Sequence, residues 1–337
     1  MPKAVIMAGG QGERFWLITH KHFPKYRIRF DGTSSLLQKT YRRLVKVYGP
    51  DNVYLVTTRP HVQMIREELP RLKVARIFVE PFRNNTCAAI YLSSALLEKK
   101  FGSGETVSFF PADHLIRDEN AFKKTMRGAI RLDQKKEVLV MLGIPPVFPA
   151  TVYGYIECGA HLQGEKDSFH VRRFVEKPNA KTARRYLKQG NFFWNGGIFT
   201  WRLGVYLKAM ARTCPDFHKY FNPRRLNASY RKLPNLSIDV ALLEKTRNLA
   251  LRKGLMDWCD LGDLDMFYEK SSWDERGNHA QGISYRQEVR GSLVLNHTQQ
   301  PLVVSGVSGL VIVQTPQGTL ICKKGLAPQT ALLSKKL

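Results

Sequence analysis

No apolar run in this sequence approaches the ~18 residues a membrane helix needs; the hydrophobic residues come in short segments. A membrane partner is therefore not expected. Cysteine is sparse: Cys87, Cys158, Cys214, Cys259 and Cys322 are scattered, odd in number and never spaced C-x-x-C. Neither a zinc site nor a disulfide framework fits that pattern, and a reducing cytoplasm is the expected setting. No signal-peptide layout precedes the first apolar run, and there is no low-complexity linker or sharp repeat. Acidic residues are scarce, 28 against 53 lysines and arginines, for a formal net charge of +25. Such a surface attracts polyanions. Yet the basic residues are spread thinly, without an arginine-rich tail, zinc-finger spacing or RRM-type aromatics, so specific nucleic-acid binding is not expected. Anionic small substrates account for the charge as well.

What is present is ample material for a packed core: 43% of the 337 residues are hydrophobic, enough for one large domain and a smaller one. Strand-type runs at residues 4–8, 53–57, 76–79, 106–110 and 137–142 alternate with helical patterns at 61–69 and 120–132. That alternation predicts an α/β fold with a mostly parallel sheet covered by helices on both faces. From about Gly282 the pattern changes to short β runs at 292–295, 302–304, 310–314 and 319–322, separated by turns such as Ser305-Gly306 and Pro316-Gln317-Gly318. This predicts a small all-β unit, a β-helix or barrel-like piece.

The first strand runs into Ala8-Gly9-Gly10-Gln11-Gly12-Glu13-Arg14. Glycines after a buried strand let the backbone turn sharply and approach a ligand. Exposed N–H groups favour an anion, and Arg14 adds a fixed charge with a fork of donors. A plain glycine-rich turn has the same composition. The spelling excludes a P-loop, since no Gly-Lys-Ser/Thr follows, and a dinucleotide fingerprint, since Phe15 stands where its last glycine belongs. In parallel sheets ligands sit beyond the carboxyl ends of strands, so this loop and Asp113, just past the run 106–110, are placed to face one crevice. Asp113 and Asp260, two carboxylates from distant segments, suit one Mg²⁺ beside nucleotide phosphates; each also reads as a helix cap or turn aspartate. Glu80 can accept two parallel hydrogen bonds from guanine N1–H and N2–H₂. Glu176-Lys177-Pro178 and Trp194-Asn195-Gly196-Gly197 offer acceptors, a cation and a close backbone approach for a sugar phosphate, and are common as plain turns.

Taken in order, these pieces resemble the sugar-phosphate nucleotidyltransferases, in their mannose-1-phosphate guanylyltransferase version. The resemblance runs through Ala8–Trp16 and Pro24-Lys25, then Glu80-Pro81 with Asn85-Thr86, Pro111-Ala112-Asp113-His114 and Tyr153-Gly154-Tyr155-Ile156. It continues through Phe174–Pro178, Trp194–Gly197, Ser237-Ile238-Asp239 with Glu244-Lys245, and Asp260-Leu261-Gly262. It implies a Rossmann-like nucleotidyltransferase domain with a mostly parallel mixed sheet over residues 1–275 and a small C-terminal all-β domain over 282–337, left-handed β-helix-like and often used for homodimers. It also implies the reaction of GTP with α-D-mannose 1-phosphate to GDP-mannose and pyrophosphate. By the same resemblance Ala8, Gly9, Gly10, Gly12, Arg14 and Lys25 would handle the triphosphate, and Glu80 and Asn85 would lie near the guanine. Tyr153, Gly154, Glu176, Lys177 and Asn195 would line the sugar-phosphate pocket, Arg14, Lys25 and Lys177 acting in catalysis, and Asp113 and Asp260 would hold Mg²⁺. The chain departs from the usual spelling at Leu17, Tyr26, Asn84, Phe148, Ala150 and Val152. A nucleotide-sugar-binding homologue without turnover and a basic polyanion-binding protein are the alternative readings.

Overall fold

The computed structural model describes residues 1–10, 12–330 and 333; Gln11 and the last residues of the expected 282–337 domain (331, 332 and 334–337) lie outside the described residues. The strands of the α/β part are β1 (Lys3–Met7), β2 (Val53–Thr58), β3 (Ile77–Glu80), β4 (Thr106–Pro111), β5 (His114–Ile116), β6 (Leu139–Ile144), β7 (Tyr155–Leu162), β8 (Glu165–Val175), β9 (Phe192–Arg202), β10 (Leu249–Lys253) and β11 (Trp258–Asp260). They are followed by β12 (His279–Gln281), β13 (Ser284–Gln287), β14 (Leu293–Asn296), β15 (Leu302–Ser305), β16 (Leu310–Thr315) and β17 (Gly318–Lys323). By its contacts the chain divides into two compact units.

The first unit comprises Met1–Gly9, Thr40–Ala112 and Ile116–Trp258. Its nine-stranded sheet has the order β3-β2-β1-β4-β9-β6-β10-β8-β7. The half built from β3, β2, β1 and β4 is parallel. β9 then enters antiparallel to both β4 and β6, which makes the whole sheet mixed. β1, β2 and β6 are buried along nearly their whole length, as apolar strands covered on both faces must be. The helix Asn85–Phe101 buries Cys87 through Leu92 almost without interruption. Trp201 of β9 is fully buried and stacks on Tyr206 at 4.9 Å between ring centres. Polar caps set the helix starts: Asp118 accepts from the Ala121 N–H at 2.8 Å and Asn179 from the Thr182 N–H at 2.9 Å. Each satisfies a donor the helix cannot.

The second unit comprises Gly10–Lys39, Asp113–Leu115 and Cys259–Leu337, as far as described. β12, β14 and β16 stack in parallel, as do β13 and β15, so that the chain returns to the same sheet on each coil. β17 folds back antiparallel on β16. These strands make a small all-β piece that begins at β12, and its parallel stacking is that of a β-helix. Leu293, Leu295, Val311 and Val313 point into one core with Phe15, Ile18, Ile28 and Phe30 from the segment after the glycine loop. The alternating pattern of the late strands thus finds its apolar partner near the start of the chain.

Candidate active site

The glycine loop leads, within the second unit, to a buried ion cluster. Lys25 is 6% exposed, and its ammonium lies 2.8 Å from Asp113 Oδ2 and 2.8 Å from Asp260 Oδ1. Burial alone would lower the Lys25 pKa, but the two carboxylates outweigh it and the net shift is upward, so the lysine stays charged. Burial likewise pushes Asp260 up, and Lys25, His114 and Arg14 overcome that push and hold its carboxyl well below the usual range. Gly12 sits in the left-handed region at φ +76°, and a Cβ there would lie 2.5 Å from the Lys25 Cβ. Only glycine fits such a place. The Thr19 hydroxyl donates to the Gly12 carbonyl at 2.7 Å and fixes the turn. The Arg14 guanidinium lies against Gly262: a Cβ on that glycine would be 3.5 Å from Nη1. Lys25, Asp113, Asp260 and Arg14, spread over almost 250 residues of sequence, are therefore one cluster.

Two carboxylates converging on one cation are a hard oxygen donor set. The lysine ammonium occupies the meeting point, so the geometry suits a positive charge there. Mg²⁺ is commonly held by one or two carboxylates together with water and substrate phosphates. Asp113 and Asp260 fit that pattern, and among the described residues no larger group of His, Cys, Asp and Glu is arranged for a metal.

In the first unit, β1 hands over to the loop through Ala8. Its N–H donates to the Val56 carbonyl at 2.9 Å and its carbonyl accepts from the Thr57 hydroxyl at 2.7 Å. Ala8 is thus engaged in the sheet. A Cβ on Gly9 would lie 3.8 Å from Glu80 Oε2. Glu80 closes β3 and is 4% exposed; its Oε1 accepts from the Tyr230 hydroxyl at 3.2 Å. Burial raises its pKa to about 7, against the smaller pull of Tyr230 and Arg83. Asn85 follows at the start of its helix with φ +61°.

A third group, also in the first unit, collects the remaining sequence candidates. A Cβ on Gly154 would come within 2.7 Å of Glu176 Oε2 and of the Phe174 ring, so a larger residue there would have to push both side chains aside. Lys177 has φ +41° and pairs with Glu176 at 3.0 Å. Asn195 receives its geometry from both sides: its N–H donates to the Gly154 carbonyl at 2.8 Å and its side-chain amide donates to Asp239 Oδ1 at 2.9 Å. Tyr153 meets Trp194 edge-on at 5.2 Å. Burial, then repulsion from Glu176, lifts the Asp239 carboxyl to about 6. Asn85 and Lys177 are two of the four non-glycine residues with positive φ among the described residues, a conformation that costs energy and concentrates at functional sites.

The model of the nucleotidyl transferase family matches residues 3–277. This chain belongs to the nucleotidyl transferase family. Among curated relatives, a mannose-1-phosphate guanylyltransferase of Sinorhizobium fredii is 31% identical, over all of this chain and 68% of its own length. One of Escherichia coli is 33% identical, over 95% of this chain and 70% of its own. Among solved structures, a Thermus thermophilus protein described as a mannose-1-phosphate geranyltransferase superposes with a TM-score of 0.88 at 27% identity. That match covers 99% of this chain and 98% of the other. The chain departs from the expected spelling at six residues. Leu17 and Tyr26 are buried, Leu17 in the core shared with the β coils. Asn84 is buried with its amide 3.4 Å from the Leu233 carbonyl, and Ala150 accepts from the Tyr155 hydroxyl at 2.9 Å. Phe148 stacks edge-on against Trp194 at 4.8 Å, while Val152 is exposed.

Two participants were given no role from the sequence. Asp239 had a signal, the Ser237-Ile238-Asp239 run, but its bond to Asn195 spans 44 positions. Tyr230 had none: it lies in a short helix, Leu226–Tyr230, with no motif around it.

The raised Glu80 pKa makes a stability prediction. Between its unfolded value near 4.5 and about 7 in the fold, the native state holds more protons than the unfolded one. Stability therefore falls as pH rises through that window, by up to about 3 kcal/mol. Glu80→Gln removes the penalty. Its unfolding midpoint is expected to match the wild type at pH 5 and exceed it at pH 8; equal midpoints at both pH values would refute the buried-acid assignment.

Proposed function

We propose that this chain transfers the guanylyl group of GTP to α-D-mannose 1-phosphate, forming GDP-mannose and pyrophosphate. The observation that carries the reading is the Lys25–Asp113–Asp260 cluster beside the glycine loop. The names of its relatives point to the same substrates. In this reading the N–H groups from Gly9, Gly10 and Gly12 onward cradle the triphosphate, with Ala8 anchoring the turn. Arg14 and Lys25 stabilise the charge that develops on the leaving pyrophosphate. Asp113 and Asp260 would hold Mg²⁺, which supplies charge neutralisation and a template for the phosphate oxygens.

Glu80 and Asn85 face the guanine. Tyr153, Gly154, Glu176, Lys177 and Asn195 hold the sugar phosphate, with Lys177 meeting its phosphate charge. The incoming phosphate oxygen is already ionised near neutral pH, so no general base is required; positioning and electrostatics carry the step. We further propose a catalytic region over 1–275, a small β domain over 282–337 available for a homodimer, and a cytoplasmic setting. The test is pyrophosphate release with Mg²⁺, GTP and mannose 1-phosphate, beside wells holding ATP, UTP or glucose 1-phosphate. Release confined to the GTP–mannose well is expected. Release in another well keeps the chemistry and changes the substrate, and silence with GTP bound leaves a binding homologue.

A further inference from the structure

Tyr230 is fully buried and has two acceptors for one hydroxyl proton: Glu80 Oε1 at 3.2 Å and the Ala88 carbonyl at 3.1 Å. Its ring is seated edge-on against Phe82 at 5.7 Å. The hydroxyl therefore cannot wander, and it restrains one oxygen of a carboxylate that burial has already cut off from water. The other oxygen, Oε2, lies beside Gly9, where the loop begins. A carboxylate reads both N1–H and N2–H₂ of guanine only when its plane is fixed so that two oxygens point the same way.

We propose that Tyr230 is a specificity-determining positioning residue, which orients the Glu80 carboxylate for two-point recognition of guanine. The proposal rests on the assignment of Glu80 to the base in the reading above. The fork also serves both states of the acid. When Glu80 is ionised the phenol donates to it. When Glu80 is protonated its O–H donates to the phenol oxygen and the phenol turns to Ala88. The ionisable groups facing Glu80 are Tyr230 and Arg83. The phenol is thus a neighbour whose hydrogen bonding follows the carboxyl.

The test compares GTP with ITP, which lacks the 2-amino group, in the full-length wild type, Tyr230→Phe and Glu80→Gln. Binding is read by calorimetry from pH 5.5 to 8.5, so the readout does not depend on turnover. In the wild type GTP is preferred, and its affinity falls as pH drops and Glu80 protonates. Tyr230→Phe keeps the ring and removes the hydroxyl. It is expected to cut the GTP/ITP preference about five- to tenfold, the worth of one hydrogen bond. It should also move the acidic limb to higher pH, because the ionised acid has lost a donor. A purely structural role would lower stability and leave that limb in place.

If Tyr230→Phe retains both the preference and the limb while Glu80→Gln loses them, Glu80 reads the base and the role of Tyr230 is overturned. If Glu80→Gln keeps the full preference, the assignment of Glu80 itself fails and Tyr230 falls with it. Should Tyr230→Phe not fold, Phe82→Leu keeps the hydroxyl and unseats the ring. A smaller loss of the same preference is then expected, and an unchanged preference overturns the proposal.

Discussion

Asp260→Asn is expected to lower turnover about a thousandfold while the protein stays folded. The amide is nearly the same size, so packing around β11 is preserved, and Lys25 keeps Asp113 at 2.8 Å as a partner. What is lost is one of two negative oxygens converging on the cation position. A divalent ion bound there contributes several kcal/mol to transition-state charge stabilisation, and each 1.36 kcal/mol is worth about tenfold in rate. Asp113→Asn should act in the same direction. Pyrophosphate release measures the effect, and a thermal midpoint that stays well above the assay temperature shows that it is not unfolding. Near-normal turnover in both variants would mean that the metal sits elsewhere.

Lys25→Met should be as damaging to turnover, about 10²- to 10³-fold, for the opposite electrostatic reason: a donor to the leaving phosphates is removed. Its effect on metal binding separates it from the aspartate variants. Without the ammonium, two carboxylates face one point with no positive charge between them, and like charges at such a distance repel. Asp113 and Asp260 keep 29% and 25% of their side-chain surface exposed. The destabilisation therefore stays below the ~3–5 kcal/mol typical of breaking a fully buried pair. A divalent cation relieves the repulsion. Mg²⁺ or Mn²⁺ is expected to raise the melting temperature of Lys25→Met more than that of the wild type. An equal response would show that the lysine and the metal do not share a position.

Much of the fold was legible because burial leaves a periodic trace. The runs at 53–57, 106–110 and 137–142 became β2, β4 and β6, and the helical pattern at 120–132 became the helix Glu119–Lys135. The late β runs became β14 to β17 within a residue or two. Periodicity carries no pairing, however. Nothing local in Phe192–Arg202 says that β9 enters between β4 and β6 and turns a parallel sheet into a mixed one. That register is set by which apolar faces must be covered at once.

The same division runs through the site. The sequence by itself determined the chemical kit: a glycine loop with Arg14 and Lys25, the carboxylates Asp113 and Asp260, and the polar set at 176–177 and 195. In the proposed reading these residue types answer the charge and hydrogen bonding that phosphates and sugars demand, so their spelling is local. Only the tertiary structure decided their partners. It placed Lys25 between two aspartates, joined Asn195 to Asp239, and brought Tyr230 to Glu80 across 150 positions. The physical reason is the low tolerance of a protein interior for unpaired polar groups. Each buried charge or amide must find a partner in space, and the chain need not supply that partner nearby.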